Sequence, residues 1–207
     1  MSEGRTYRGV GKAERIALRR AALLAAGLEL FGTRGYGSTG VKDLCRAAGL
    51  TDRYFYESFT GTADLFAAVF DRVIEELFAA VSREVAAVEP IGTRKLRAGI
   101  GTFLAALAAD PRTLRVVFTE PNGAGAEQRL RDAMWRFAKL VAATASAARP
   151  EQDPPAPQVD IYALSVVGML ERVIVERQGG RLEVAVDELV DHCTTFAASA
   201  LRALYPR

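Results

Sequence analysis

Apolar residues recur at three- and four-residue spacing along nearly the whole chain, and no run of alternating apolar and polar positions lies between turn signals. The pattern predicts an all-α protein. Ile16, Leu23, Leu24, Leu28 and Phe31 share the core-facing side of a first helix, which Gly32 and Gly35 are expected to end in a left-handed cap. After the turn Gly35-Tyr36-Gly37, Ser38 or Thr39 can cap a helix over residues 41–48 that Gly49 ends, and Thr51 caps a third over residues 52–59. A long pattern over residues 63–88 puts Leu65, Phe66, Val69, Phe70, Val73, Leu77 and Val81 on one broad face, and Pro90 and Gly92 break it. Further helices are predicted at 93–109, 111–119, 124–148, 158–178 and 183–204. The separators are Asp110-Pro111, Pro121-Asn122-Gly123, the stretch 149–157 with its four prolines, and Gly179-Gly180. The expected organisation is a basic arm and a three-helix head over residues 1–62, followed by a helical body over residues 63–207.

The second and third helices meet at Gly49-Leu50-Thr51, the arrangement of a helix-turn-helix, in which the later helix can lie in the major groove while the earlier one crosses the backbone. Val41, Leu44, Cys45, Leu50, Phe55 and Phe59 supply the apolar lock; Asp52, Arg53, Tyr54, Tyr56, Glu57 and Ser58 are left to face outward. Short helix pairs with a glycine turn also occur in unrelated proteins, so spacing alone leaves a purely structural role open. Charge adds to the picture: residues 1–60 carry 10 Lys/Arg against 6 Asp/Glu, while the remainder carries 17 against 19. The excess concentrates in Arg5, Arg8, Lys12, Arg15, Arg19 and Arg20, as suits an arm facing phosphates, with a solvated tail as the plain alternative.

Residues 15–70 resemble the TetR-like transcriptional regulators. The likeness is carried by Leu30-Phe31, Gly35-Tyr36, Thr39, Val41, Asp43-Leu44, Ala48-Gly49-Leu50-Thr51, Phe55-Tyr56, Phe59 and Leu65. It implies binding to double-stranded operator DNA, with Thr39 and Tyr56 on phosphates, and Thr51, Asp52, Arg53 and Tyr54 at the start of the recognition helix. Arg53 is the best candidate for reading a base, because guanidinium matches the O6/N7 edge of guanine; Asp52 either accepts from cytosine or orients Arg53. Two departures stand out. Thr62 occupies the position where the family usually has a phosphate-holding lysine, and the recognition helix carries the acidic Asp52 and Glu57. Arg5 and Arg8 in the arm are expected to compensate.

The resemblance further implies a homodimer built from the last two helices, for which Val167, Leu170, Val190, Cys193, Ala197 and Leu201 are the expected interface residues. It also implies a small-molecule effector in the body that shifts the heads through the long helix 63–88. Candidate lining residues are Phe103, Leu107, Phe118, Met134, Phe137, Tyr162, Val166 and Met169, for which core packing is the alternative reading. Few polar groups accompany them, so the effector is expected to be apolar or aromatic, and release of a repressor is the expected output.

Other chemistries find little support. The two cysteines, Cys45 and Cys193, have no metal or disulfide spacing, and the single histidine, His192, has only Asp187 and Asp191 near it in sequence. No metal, cofactor or catalytic set is expected. The start lacks the apolar stretch of a signal peptide and no segment reads as a membrane span, so a cytoplasmic protein is expected. An α-helical enzyme and a protein-binding adaptor with a vestigial helix-turn-helix are the rival readings.

Overall fold

The computed structural model describes residues 11–89, 92–148, 151–152 and 154–204, and these contain helices and no strand. Arg5 and Arg8 lie outside the described residues. The helices are α1 (Lys12–Thr33), α2 (Val41–Ala48), α3 (Asp52–Tyr56), α4 (Thr62–Ala87), α5 (Thr93–Ala109), α6 (Pro111–Leu114), α7 (Pro121–Ala124), α8 (Glu127–Ala147), α9 (Ala156–Gln178) and α10 (Val186–Leu204). A 3-10 turn at Tyr36–Ser38 follows α1, and a π-helical turn at Arg115–Thr119 continues α6.

The amphipathic helices bury their apolar faces in two clusters. In the first, Leu23, Leu30 and Phe31 of α1 meet Leu44 and Cys45 of α2, Phe55 of α3, and Phe59. Leu65, Phe66, Val69, Phe70, Val73 and Ile74 of α4 close it from below. Phe31, Tyr36 and Phe66 form a ring triangle with centroids 5.3–5.8 Å apart in tilted and edge-on pairs, the geometry aromatic quadrupoles favour. The second cluster takes Leu77 and Val81 from the other half of α4 and packs them with α5, α8, α9 and α10. The border between clusters therefore falls inside α4, after Ile74. The first half of α4, expected in the body, completes the core of the head, and the same helix then enters the body's core.

Several helix ends differ from expectation, each for a local reason. α3 stops at Tyr56 rather than 59, because Phe59 reaches the core from the following turn, where it is 3% exposed. α1 runs past Gly32 to Thr33; a Cβ on Gly32 would stand 2.7 Å from the Cα of Arg112, so this glycine marks where α1 and α6 touch backbone to backbone. Gly35, by contrast, does need its lack of a side chain, with φ at 93°. Pro121-Asn122-Gly123 is no break: proline, with φ preset and no amide to leave unpaired, opens α7, and Gly125 at φ 68° ends it. Ile16, expected in the core, is 38% exposed.

The interface residues expected on α9 and α10 also need correcting. Val167, Leu170, Val190, Cys193, Ala197 and Leu201 are all buried within the single chain, as members of the body's own core. Their stripe faces α5 and the neighbouring helices. The outer sides of α9 and α10 carry different apolar residues, Ile161 at 63% and Phe196 at 53% exposed.

Candidate DNA-binding head and effector cavity

The helix-turn-helix is closed as its sequence requires. Gly49 caps α2 in the left-handed region at φ 66°, and the amide of Leu50 donates to Cys45 O at 2.9 Å. Leu44, Cys45, Phe55 and Phe59 are buried, while Val41 and Leu50 pack on them half-buried. Ser38 and Thr39 do not cap α2. Gly40 holds that position, its amide donating to the Asp43 carboxylate at 3.3 Å, and the buried Thr39 hydroxyl donates to Gly35 O at 2.8 Å. With that proton in use, a phosphate at the start of α2 would have to be met chiefly by backbone amides.

Thr51, Asp52, Arg53, Tyr54 and Tyr56 are all exposed, around the buried Phe55 of α3. Thr51 takes the cap position of α3 without a side-chain capping bond. Asp52 lies near Cys45 of α2, and burial together with this carboxylate pushes the Cys45 thiol up. The partner of Arg53 is not Asp52 but Glu57, one helical turn on at 3.7 Å, and the Arg53 side chain stays 86% exposed. A solvated ion pair of this kind is worth well under about 1 kcal/mol, so it hardly restrains the guanidinium. Tyr56 packs its ring edge-on to Phe55, with centroids 5.3 Å apart, and remains 60% exposed.

Two arginines of the expected basic arm serve inside the head. Arg19 donates to Glu57 at 3.1 Å and lies over the Tyr54 ring at 4.3 Å; Arg20 lies over Phe59 at 4.4 Å. Together they tie α1 to α3 and to the turn that follows it. Thr62 is the first residue of α4, and Asp64 in the same turn accepts from the Thr60 amide at 2.9 Å and its hydroxyl at 3.2 Å. A carboxylate thus sits at the end of α4 where the resemblance implied a phosphate contact.

The body contains an apolar cavity of about 50 Å³ between α4, α5, α8 and α9. Of the expected lining residues, Phe103, Phe137 and Val166 line it. Phe118 and Met134 line a smaller cavity of about 10 Å³ that shares Phe103 and Phe137 with the first. Leu107 is a fully packed core residue, and Tyr162 and Met169 pack against the core outside both cavities. The first cavity is also lined by Val167 and Leu170, which the resemblance had placed on the dimer face, and by Gly99, Leu140, Thr144 and Lys95. Lys95 is the one the sequence reading missed that matters chemically. Its side chain is 15% exposed and its ammonium is 3.7 Å from the exposed Glu89. The available signal was a cation at the head of the α5 stripe that runs through Gly99 to Phe103. A larger cavity of about 110 Å³, lined by Thr93, Arg202 and others, shares Leu96 and Thr144 with the first.

His192 is exposed, with Nε2 3.7 Å from Glu188. No group of three or more His, Cys, Asp or Glu among the described residues is placed to hold a metal ion. No helix among them is long and apolar enough to cross a membrane.

Comparison with known proteins agrees with this architecture. Residues 23–69 match the family described as bacterial regulatory proteins, tetR family. A curated relative, the HTH-type transcriptional activator FasR of Mycolicibacterium smegmatis, is 30% identical over 109 residues, which span 50% of this chain and 49% of the relative. The match thus covers about half the length of that protein. Among solved structures, a transcriptional regulator FadR from Bacillus subtilis, in complex with stearoyl-CoA, superposes with a TM-score of 0.77 at 14% identity, covering 87% of this chain and 98% of its own. A TetR-like transcriptional regulator from Rhodococcus sp. RHA1 reaches 0.70 at 20% identity, covering 96% and 100%.

Proposed function

We propose that this TetR-like transcriptional regulator binds palindromic operator DNA as a homodimer, acts as a repressor, and is released when its body cavity takes up a long-chain acyl effector. The observation that carries the reading is the pairing of an exposed, polar α3 on a compact head with an apolar cavity in the body, both packed on α4. The cavities follow one another from Phe118, past Phe103 and Phe137, to Leu96 and Thr144. A narrow series of this kind suits a linear aliphatic chain better than the aromatic ligand that composition had left open. Lys95 then stands where an anionic or polar head group would leave the apolar lining. The stearoyl-CoA held by the Bacillus subtilis regulator is a molecule of that chemistry.

Effector binding can shift the regulator only through a difference in affinity between its DNA-competent and incompetent states. Palmitoyl-CoA is accordingly expected to lower operator affinity in fluorescence anisotropy. Lys95→Glu should weaken the palmitoyl-CoA effect by about tenfold or more, the size of a lost charge-assisted bond. Equal half-effects in wild type and variant would remove Lys95 from the site, and no effect of palmitoyl-CoA on either would remove the acyl reading.

The dimer is expected to cover the outer sides of α9 and α10, where Phe196 is 53% and Ile161 63% exposed and burial of each would add favourable apolar area. Phe196→Asp should shift the sedimentation of the protein at micromolar concentration from dimer to monomer while leaving its helical circular dichroism intact. An unchanged dimer would place the interface elsewhere.

A further inference from the structure

The chain between α5 and α8 touches both the effector cavities and the head. On one side, Val117 and Phe118 line the small apolar cavity with Met134. On the other side, Arg115 Nε donates to Glu120 Oε1 at 2.7 Å, and Arg115 Nη1 donates to the carbonyl of Thr33, the last residue of α1, at 2.7 Å. The Tyr36 amide donates to Glu120 Oε2, also at 2.7 Å. The Glu120 side chain is 12% exposed and that of Arg115 36%, so the two bonds to Glu120 are part-buried and strengthened by its charge, while the bond from Arg115 to Thr33 lies at the surface. The fit leaves no slack, since a Cβ on Gly35 would sit 2.6 Å from Arg115 Nη2 and 3.1 Å from Glu120 Oε1.

Two further features make this contact a relay rather than a passive brace. The residues spanning cavity and head, Arg115–Thr119, form a π-helical turn, an uncommon geometry that is frequent at functional sites. In addition, Gly35 O accepts from the Thr39 hydroxyl, so displacement of the Gly35–Tyr36 turn carries directly to the start of α2, the end of the head that meets DNA backbone. We propose that Arg115 and Glu120 are positioning residues for operator binding, a clasp through which occupation of the body cavity at Phe118 is relayed to Thr33, Tyr36 and the start of α2. The proposal rests on the effector reading above and adds to it a route besides α4.

The clasp can be tested without effector or operator. In the full-length protein, Met134→Phe fills the small cavity from its far wall, and hydrogen exchange is followed in peptides covering residues 34–48, with α10 peptides as the internal reference. Met134→Phe is expected to speed exchange in 34–48 about tenfold, as for a locally loosened segment. It should add nothing in a Glu120→Ala background, with Glu120→Gln, which keeps the oxygen that accepts from Tyr36, lying between. Equal acceleration in both backgrounds would overturn the relay, as would acceleration by Glu120→Ala but none by Met134→Phe. Should Met134→Phe loosen α10 as well, Phe118→Trp, which extends into the same cavity, is judged by the same comparison. A palmitoyl-CoA arm on wild type and Glu120→Ala separates the two readings: no response in either, with the substitution cycle as expected, removes the acyl effector and leaves the clasp standing.

Discussion

Gly32→Ala is expected to lower stability by about 1–3 kcal/mol, the range for forcing volume into a packed contact, and to weaken operator binding beyond what that loss explains. A Cβ there would clash with Arg112 Cβ and meet its Cα at 2.7 Å and its carbonyl oxygen at 3.0 Å. Backbone cannot rotate away as a side-chain tip can, so α1 and α6 must part. Arg112 is also held in place: its guanidinium donates to Asp110 at 2.7 and 2.8 Å and to Glu29 of α1 at 2.6 Å, and Asp110, held below the usual carboxylate range by Arg112, caps α6. Separating the helices therefore strains the ion pair to Glu29 and shifts α1, to which Arg19 ties α3 and Arg20 the turn after it. Thermal unfolding and operator anisotropy measure the two effects. Gly37→Ala is the control, since a Cβ there meets nothing within 4 Å, and it should leave both unchanged.

Arg53→Ala is expected to cost about 1–3 kcal/mol of operator binding, roughly five- to 150-fold, and to relax preference at one base pair in each half-site. The side chain is almost fully exposed and restrained only by a solvated pair with Glu57, so its removal should leave the melting temperature nearly unchanged. That separation of binding from stability distinguishes a base-reading arginine from a structural one. Binding across a panel of operator variants is the measurement. A uniform loss over all sequences would reassign Arg53 to the phosphate backbone.

What could be read from the sequence was what local chemistry dictates. The limits of α5 and the end of α2 were legible because strong punctuation marks them, Gly92 and Asp110-Pro111 for the one and Gly49 for the other, whereas the start of α2 was credited to Ser38 or Thr39 and is held by Gly40. The head's lock was legible because Leu44, Cys45, Phe55 and Phe59 recur at helical spacing. The same spacing misled at α3, where Phe55 and Phe59 both reach the core although the helix ends between them. Partners distant in the chain left no local trace. Gly32 reads as a helix stop until Arg112, eighty residues later, is seen against it. Likewise, an apolar stripe shows that Val167 and Leu170 are buried but not by what, and they turned from the dimer face to the cavity. Lys95 was passed over because a lysine on a helix ordinarily faces water, and only the packing of α4, α8 and α9 around α5 places it at a cavity.

The central claim is that this head reads a two-fold operator. Selection of bound sequences from a random double-stranded pool by the full-length protein, at moderate salt and without effector, tests it most directly. The account predicts an enriched palindrome with half-site centres about 10 base pairs or a multiple of that apart, as two heads one helical turn apart require. Recovery of no motif, or of a single unrepeated half-site, would contradict it.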